Sequence, residues 1–322
     1  MTAKKLISVV TPCFNEEDNV EICAATVRDL FERELPEYDL EHIFCDNAST
    51  DGTVAVLEKL AGGDRRVKLI LNSRNFGPFA SLFNGVLATS GDAVVVFLPA
   101  DLQDPPELIP QFVREWERGT EVVYGIRAVR QERGLIAATR RLYYRLVRQM
   151  SQLDVKPNVG EFQLVDRKVV EALRKFDDYY PYVRGMIAAC GFRSKGIEHV
   201  WHKRERGVSK SNFLALIDQG LNGLISLSRV PIRITLLAGF VVAAVSALGA
   251  VIILVYSAIH FRQFAPPGIP MLTVGMFFFS GIQLFFLGVI GEYVAAIHSQ
   301  VRKRPLVVER GRVNFEPAQR SP

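Results

Sequence analysis

Cysteine is scarce in this 322-residue sequence, which contains only four. No two of them form a CxxC pair, so the spacing offers neither a zinc-ribbon nor a redox motif. Three of the four lie in apolar runs typical of buried strands or helices. The absence of paired cysteines excludes a small disulfide-stabilised secreted domain, and we expect reduced thiols in a protein core on the cytoplasmic side.

Histidine is also rare, with five residues in the chain. Only His199 and His202 are close in sequence, and such a pair in an aromatic-flanked strand is more often structural than a zinc site. A signal peptide is not expected either. The apolar run after Lys4 and Lys5 is about five residues long, which predicts a strand rather than a secretory segment.

The charge balance is basic, with 39 Lys and Arg against 34 Asp and Glu, a net charge of +5. Many arginines lie between Arg127 and Arg148 or beside apolar segments, and no motif that reads RNA or DNA is present. We therefore expect no nucleic-acid partner. A diphosphate or an anionic membrane surface is the better match for this charge.

Short apolar runs alternate with amphipathic helical stretches in the N-terminal part of the chain. The runs are LISVV, HIFC, VKLIL, AVVVFL and EVVYG, which begin at Leu6, His42, Val67, Ala93 and Glu121. Continuously apolar strands separated by helices predict an α/β fold, a doubly wound and mostly parallel sheet covered on both faces. Polar motifs follow the first four runs, and ligands of such sheets bind beyond the carboxyl ends of the strands.

The C-terminal third has two long uncharged stretches. Residues 234–259 and 270–291 carry no Asp, Glu, Lys or Arg, and about 20 apolar residues cross a bilayer. We predict a transmembrane hairpin with spans at 234–259 and 270–296, inside a membrane unit covering 231–300. Basic residues flank both ends, which predicts a multi-pass inner-membrane protein with its catalytic domain and both termini cytoplasmic.

The remaining boundaries follow from this division. Residues 1–210 are predicted to form the catalytic domain, 211–230 an interfacial amphipathic helix, and 301–322 a basic cytoplasmic tail. Apolar residues recur at helical spacing between Ser211 and Ser228, which suits a helix lying on a bilayer but also ordinary core packing.

The motif FLPADLQDPPE carries the sharpest chemical signal. It ends a buried strand with acidic residues, and the double proline then starts a helix. Asp101 and the side-chain oxygen of Gln103 are hard ligands suited to Mg²⁺ or Mn²⁺, which complete their coordination shell with water and substrate phosphates. The alternative interpretation is a turn in which an Asp simply caps the helix, and it fits Asp104 better than Asp101.

Two further polar motifs end the first and second strands. TPCFNEE supplies Asn15 and Glu16, and DNASTDGT supplies Asp46 and Asn47. Acidic groups at these edges can accept hydrogen bonds from ribose hydroxyls or a base N–H. The residues from Ser49 to Gly52 are also typical of a helix start.

Together these motifs identify a family resemblance. PCFNEE, DNASTDGT, LPADLQDPPE, YGIR, GEFQLVDR, YVRG and RERGVSK occur in the order and spacing of family 2 glycosyltransferases of the GT-A fold. More narrowly, the chain resembles polyprenyl-phosphate glycosyltransferases that carry two C-terminal membrane helices. The resemblance covers nearly the whole chain and implies a nucleotide-sugar donor, a polyprenyl-phosphate acceptor, a divalent cation and a lipid bilayer as partners.

The resemblance also implies roles for individual residues. The donor base and ribose pocket corresponds to Pro12, Phe14, Glu16, Asp46 and Asn47. Asp101 and Gln103 match the metal ligands, with Ala100 beside them in the donor site. The residues that match basic grips on the donor diphosphate or the acceptor phosphate are Arg127, Arg140, Arg204 and Lys210, and Glu161 matches an acidic position beside the acceptor. The catalytic set is thus expected to comprise Asp101, Glu161, Arg127, Arg204 and Lys210.

Three positions depart from the family pattern. Pro99 stands where the first carboxylate of an Asp-x-Asp motif is usual, Glu161 replaces the more usual Asp, and Gln163 stands where Arg is common. The first change removes a carboxylate from the metal and ribose site. The other two bear on the acceptor geometry.

The expected reaction is a single displacement with inversion, in which a lipid phosphate oxygen attacks the anomeric carbon and a nucleoside diphosphate departs. A UDP-sugar is the favoured donor, and a homo-oligomer is possible. Two alternatives stay open: a catalytically weak nucleotide-sugar-binding scaffold, which Pro99 would favour, and a processive polysaccharide synthase, which would need more spans and a QxxRW motif that the chain lacks.

Overall fold

The computed structural model of the chain describes residues 4–127, 159–178, 181–199, 268–302 and 304–316, with a few isolated positions between 239 and 248. The chain divides into two compact units. One comprises Met1–Arg148, Leu153–Gly220 and Arg304–Pro322, and the other comprises Gln149–Gln152 and Leu221–Lys303. The first unit contains the sheet and all the described residues of the predicted site.

Strands and helices alternate through the first unit. The strands are β1 Lys5–Cys13, β2 Tyr38–Asp46, β3 Val67–Asn72, β4 Ala93–Val95, β5 Val122–Arg127, β6 Val159–Asp166, β7 Ser194–His199 and β8 Glu309–Val313. The helices of this unit are α1 Glu17–Glu34, α2 Thr53–Gly63, α3 Pro78–Leu87, α4 Ile109–Glu117, α5 Arg167–Leu173 and α6 Val183–Ala189. A 3₁₀ turn at Pro106–Leu108 precedes α4, and α7 Gly268–Val301 belongs to the second unit.

The eight strands form one sheet in the order β7-β5-β6-β4-β1-β2-β3-β8. Strands β1 to β4 pair in parallel, β6 runs antiparallel to both β4 and β5, and β7 is parallel to β5. The sheet is therefore a mixed α/β sheet of the GT-A type, and the predicted fold class of the catalytic domain is confirmed at that level. The carboxyl ends of β1 to β5 and β7 meet the amino end of β6 at a single edge.

Both faces of the sheet are covered, which explains the continuously apolar strands. Val9 packs into the core beneath α1, α2 and α4, whereas the next residue, Val10, packs beneath α3, α5 and α6. Each fully buried aliphatic side chain contributes about 1.5–3 kcal/mol to folding. Cys13, Cys23 and Cys45 are buried free thiols in these cores, which confirms the prediction of core cysteines for those positions.

The last strand, β8, was not predicted from the sequence. Its residues lie in the segment predicted as a basic tail, yet Glu309–Val313 pairs antiparallel with β3 at the sheet edge. Asn314 then ties the chain down by donating from Nδ2 to the carbonyls of Ala61 and Val67, at 2.7 and 2.8 Å. A charged ERGRV segment lacks the apolar alternation of a core strand, but an edge strand pairs through its backbone and tolerates such residues.

The membrane prediction is corrected. No helix among the described residues is both long and apolar enough to cross a bilayer. This finding contradicts the predicted localisation, a multi-pass inner-membrane protein with cytoplasmic termini, and the predicted hairpin is not found among the described residues. Residues 211–230, and nearly all of 234–259, lie outside the described residues.

Candidate active site

Hydrogen bonds join the loops after β1 and β2 at the carboxyl edge of the sheet. The backbone N–H of Asn15 donates to Ser49 Oγ at 2.8 Å, and that of Thr50 donates to Asn15 Oδ1 at 2.7 Å. The backbone N–H of Glu16 donates to Thr53 Oγ1 at 2.8 Å. The two motifs that the sequence placed at strand ends therefore form one rigid polar surface.

The backbone at this edge adopts unusual conformations. Asn15, Ala48 and Leu102 have φ angles of 54°, 61° and 52° and follow β1, β2 and β4. A residue with a side chain in the left-handed region costs about 1–2 kcal/mol. Such residues persist where the surrounding structure compensates for them, and they cluster at functional sites. Three of them at one edge mark this edge as the candidate site.

Asp46 and Asn47 end β2 with different partners. Asp46 is fully buried and accepts from the backbone N–H of Ser49 at 3.1 Å. Asn47 accepts at Oδ1 from Asn72 Nδ2 and from the Phe76 N–H, at 3.1 and 3.0 Å. Asn47 is thus a brace that joins the end of β2 to the NSRNFG loop at residues 72–77, and no sequence pattern predicted this pairing.

The other members of the predicted nucleotide pocket lie on β1 and just after it. Pro12, Phe14 and Glu16 are each partly buried. The Glu16 carboxylate accepts from Asn19 Nδ2 at 2.6 Å. The structure thus brings these three residues to the same edge as Asp46 and Asn47.

The loop that carries the predicted metal ligands follows β4. Ala100 is buried, whereas Asp101 and Gln103 are partly exposed. The backbone N–H of Gln103 points to Asp101 Oδ1 at 3.4 Å, across the left-handed Leu102. One carboxylate and one amide oxygen suit a hard cation that also binds substrate phosphates. Within the described ranges no group of three or more His, Cys, Asp or Glu residues could hold a metal by itself.

Asp104 does not cap a helix, contrary to the prediction. The 3₁₀ turn that follows it has no side-chain cap, and Asp104 turns inward, where it is fully buried. Arg127 donates to it through Nε at 3.2 Å and Nη2 at 2.8 Å, and His199 Nε2 lies 3.2 Å from Oδ1. Burial would raise the pKa of Asp104, but the hydrogen bonds from His199 and Arg127 outweigh it and lower that pKa. A buried carboxylate requires hydrogen-bond donors, and here the guanidinium and the imidazole supply them.

Glu161 lies at the amino end of β6, on the same edge. Its side chain is 16% exposed, and Arg184 Nε lies 3.9 Å from Oε1. The second oxygen, Oε2, is buried and accepts no hydrogen bond from the described residues. Burial raises the pKa of Glu161, and the charges of Arg184 and Arg127 offset only part of that effect. A partly satisfied carboxylate at a sheet edge is a functional candidate.

Gln163, two residues after Glu161 on β6, lines a cavity of about 210 Å³. The polar side chains of Tyr124 and Arg184 also line this cavity. Gln163 is buried and donates from Nε2 to the Gly160 carbonyl at 3.2 Å. Arg184 is the residue of this region that the sequence reasoning missed. It belongs to the YVRG motif, but no role was assigned to it there.

Residues 8–174 match the sequence profile of glycosyl transferase family 2. This chain belongs to that family. The family 2 glycosyltransferase is 35% identical over 303 residues to the SfII prophage-derived bactoprenol glucosyl transferase of Shigella flexneri, covering 93% of this chain and 96% of that protein. It is 36% identical over 301 residues to the prophage bactoprenol glucosyl transferase homolog of Escherichia coli K12, with the same two coverages.

Among solved structures, this family 2 glycosyltransferase is similar to a mannosyltransferase from Pyrobaculum calidifontis in complex with GDP-Man and Mn²⁺. The sequence identity is 17%, the TM-score is 0.48, and the match covers 94% of this chain and 87% of that one.

Three predicted site residues of this glycosyltransferase, Arg140, Arg204 and Lys210, lie outside the described residues. Their assigned contacts with phosphate stay predictions. The remaining predicted residues all lie at or near the carboxyl edge, on segments that are far apart in the chain.

Proposed function

We propose that this family 2 glycosyltransferase transfers a sugar, with inversion, from a nucleotide-sugar to a polyprenyl phosphate and releases a nucleoside diphosphate. Relatives named bactoprenol glucosyl transferases align with more than nine-tenths of both chains, which supports this acceptor and suggests UDP-glucose as the first donor to test. The observation that carries the proposal is the sheet edge, where Asp46, Asp101, Arg127 and Glu161 lie on four different segments.

In this proposal the donor nucleotide lies over the ends of β1 and β2. Pro12 and Phe14 provide apolar surface for the base, and the partly buried Glu16 carboxylate accepts from base or ribose donors. Asp46 is fully buried and supports this pocket by accepting from the Ser49 N–H. Asn47 acts by holding the NSRNFG loop against the end of β2, as its two accepted hydrogen bonds indicate.

Asp101 and Gln103 would hold Mg²⁺ or Mn²⁺, with Ala100 beside them. The cation would supply charge neutralisation for the diphosphate. Because Pro99 replaces a second carboxylate, most of the coordination shell must come from substrate and water. We therefore expect the affinity for the cation to depend strongly on the presence of the donor.

Arg127 would stabilise the negative charge that grows on the departing diphosphate, because a guanidinium is a fork that matches phosphate oxygens. Arg140, Arg204 and Lys210 are assigned similar contacts by resemblance. Glu161 would orient the acceptor. A phosphate monoester has a second pKa of about 6 and is largely ionised at neutral pH, so a strong base is not required.

The test is a donor screen with purified protein, undecaprenyl phosphate and a panel of UDP- and GDP-sugars, read by mass spectrometry of the lipid. A lipid product one hexose heavier, lost with a chelator and restored by Mn²⁺ or Mg²⁺, is the expected result. Donor binding without any lipid product would instead favour the scaffold alternative that Pro99 suggests.

A further inference from the structure

Asp104 is a carboxylate at the carboxyl edge with three side-chain hydrogen-bond contacts. It is fully buried, and it receives both nitrogens of one side of the Arg127 guanidinium, at 3.2 and 2.8 Å, with His199 as a third donor at 3.2 Å. The three residues come from the loop after β4, the end of β5 and the end of β7. We call Asp104, Arg127 and His199 the buried triad.

Two glycines make room for the buried triad. A Cβ atom on Gly125 would lie 2.8 Å from His199 Cε1, and one on Gly160 would lie 3.3 Å from Arg127 Nε. Side chains at these two positions would therefore displace the imidazole or crowd the guanidinium. Glycine occupies both positions where β5 and β6 pass the triad, so the strands themselves leave space for the imidazole and the guanidinium.

The three members differ in exposure. The side chains of Asp104 and His199 are 0% and 3% exposed, whereas that of Arg127 is 38% exposed. Arg127 thus has one side fixed in the interior and still reaches the surface. Its charge is also felt at Glu161, where it lowers the pKa of that carboxyl. The guanidinium therefore neighbours both Asp104, which follows the predicted metal ligands, and Gly160, which precedes Glu161 on β6.

A free arginine side chain would lose rotamer freedom on gripping a phosphate, and a fixed one has already lost it. Donors that are preorganised toward developing charge are the ones that accelerate a reaction. Asp104 fixes the fork in its plane through two hydrogen bonds, and His199 fixes Asp104.

We propose that Asp104 and His199 are positioning residues that hold the Arg127 guanidinium in the orientation in which it meets the departing diphosphate. The inference rests on the proposed function of Arg127. It adds that a carboxylate outside the metal site controls the rate of transfer without touching substrate.

The test is a double-mutant cycle on the full chain with Asp104→Asn, Arg127→Gln and both together. Interactions made in the transition state act on kcat. We expect Asp104→Asn to lower kcat about 10- to 100-fold, in the range known for misplaced catalytic groups, and to change the donor KM less than about threefold. The double variant should be no slower than Arg127→Gln alone, because Asp104 acts through Arg127.

A matched control is Glu41→Gln, which breaks another buried ion pair, that of Glu41 with Lys68 at 2.6 Å, far from the carboxyl edge. Its Tm should fall while kcat stays within about twofold of wild type. If Asp104→Asn does not fold, variants of His199 provide the test. His199→Leu should lower kcat, whereas His199→Gln, which keeps a donor near the Nε2 position, should retain most of the wild-type kcat.

The outcomes separate the two claims. Wild-type kcat in Arg127→Gln would remove Arg127 from the proposed function. If Arg127→Gln lowers kcat but Asp104→Asn does not, the positioning role alone is overturned. It is also overturned if Asp104→Asn lowers kcat by the same factor in the Arg127→Gln background as in wild type. A His199→Gln variant with a kcat as low as that of His199→Leu would also overturn the positioning role.

Discussion

The two edges of the sheet use similar polar residues in opposite ways. Toward the amino edge, the buried Glu41 accepts from Lys68 Nζ at 2.6 Å, from the Ser90 hydroxyl at 2.6 Å, from the Ser90 N–H at 2.9 Å and from the Ser8 hydroxyl. We call Ser8, Glu41, Lys68 and Ser90 the amino-edge cluster. Both carboxylate oxygens of this cluster are saturated with donors, which is the pattern of a structural group.

At the carboxyl edge, the carboxylates differ from one another: Asp104 has three side-chain partners, whereas Glu161 is only partly satisfied. Three residues with side chains lie in the left-handed region there, and Glu161 Oε2 is buried without a donor from the described part of the chain. Strain and unmet hydrogen bonds reduce stability, and they persist mainly at sites that serve binding or catalysis. The contrast teaches that the partners of a carboxylate, rather than its residue type, indicate its role: Glu41 is partnered within the core, Asp104 is partnered to a guanidinium that reaches the surface, and Glu161 keeps an oxygen without a donor from the described residues.

The largest effect should come from removing the predicted metal carboxylate. Asp101→Ala should lower the transfer rate by about 10²–10³ or more, because a preorganised charge contact to the departing group is lost. The Tm should stay within about 2 °C of wild type, since Asp101 is partly exposed. Transfer assays with a titration of Mn²⁺ measure the effect, and an unchanged rate would remove Asp101 from the site.

The next effect is on stability alone. Glu41→Gln should lower the free energy of unfolding by about 3 kcal/mol, because it leaves Lys68 without its ionised partner. Burial raises the pKa of Glu41, but hydrogen bonds from Lys68, Ser8 and Ser90 outweigh it and lower that pKa. The carboxylate therefore stabilises at neutral pH, and this contribution disappears as the pH falls through its lowered pKa.

Urea unfolding of wild type and Glu41→Gln at a series of pH values measures this dependence. The gap between the two proteins should be greatest at neutral pH and should narrow on acidification. A gap that widens at low pH would contradict the assignment of Glu41 as a structural carboxylate.

Glu161→Gln should change the free energy of unfolding in the opposite direction to Glu41→Gln. Because burial raises the pKa of Glu161, the ionised group destabilises the folded state at neutral pH. The variant should be more stable than wild type by about 1 kcal/mol near pH 7. As the pH falls toward the raised pKa, wild type takes up its proton and the advantage shrinks.

The same variant should transfer sugar about tenfold more slowly, less than the loss of a general base, because the acceptor phosphate is already ionised. Parallel pH series of unfolding and of transfer check both parts. A Glu161→Gln protein that is less stable than wild type at neutral pH would place Glu161 with the structural carboxylates.

The smallest effect concerns backbone strain. Ala48 has a φ of 61°, so Ala48→Gly should raise the free energy of unfolding by about 0.5–1 kcal/mol. Ala55 is an exposed residue within α2, and Ala55→Gly should lower it by about 1 kcal/mol. Thermal unfolding of the pair gives the comparison, and equal signs for the two variants would argue against strain at Ala48.

Much of the fold was predictable because its signals are local. The apolar runs at Leu6, His42, Val67, Ala93 and Glu121 all became strands, since burial on both faces demands continuous apolar sequence. The polar motifs directly follow the first four apolar runs in the sequence, so their position at strand ends was predicted together with the strands. The predicted membrane localisation is contradicted, because no helix among the described residues is long and apolar enough to cross a bilayer.

The charged strand β8 and the buried triad could not be predicted in this way. Asn84 donates to Glu309 Oε1 across 225 positions of sequence, and Asp104 meets His199 across 95. No local pattern encodes such pairs. The cap considered for Asp104 was the local interpretation of an Asp before two prolines, and it failed because a guanidinium competes more strongly for a carboxylate than backbone N–H groups do.

The amino-acid sequence by itself determined the alternation of strands and helices, the family to which the chain belongs, and the edge of the sheet where the candidate site lies. These features depend on periodicity and on residue order, which are local properties. Only the tertiary structure decided which carboxylates are saturated, which one holds Arg127, and which retains an unmet oxygen. Hydrogen-bond saturation depends on what packs opposite a residue, and that is set by folding across the whole chain.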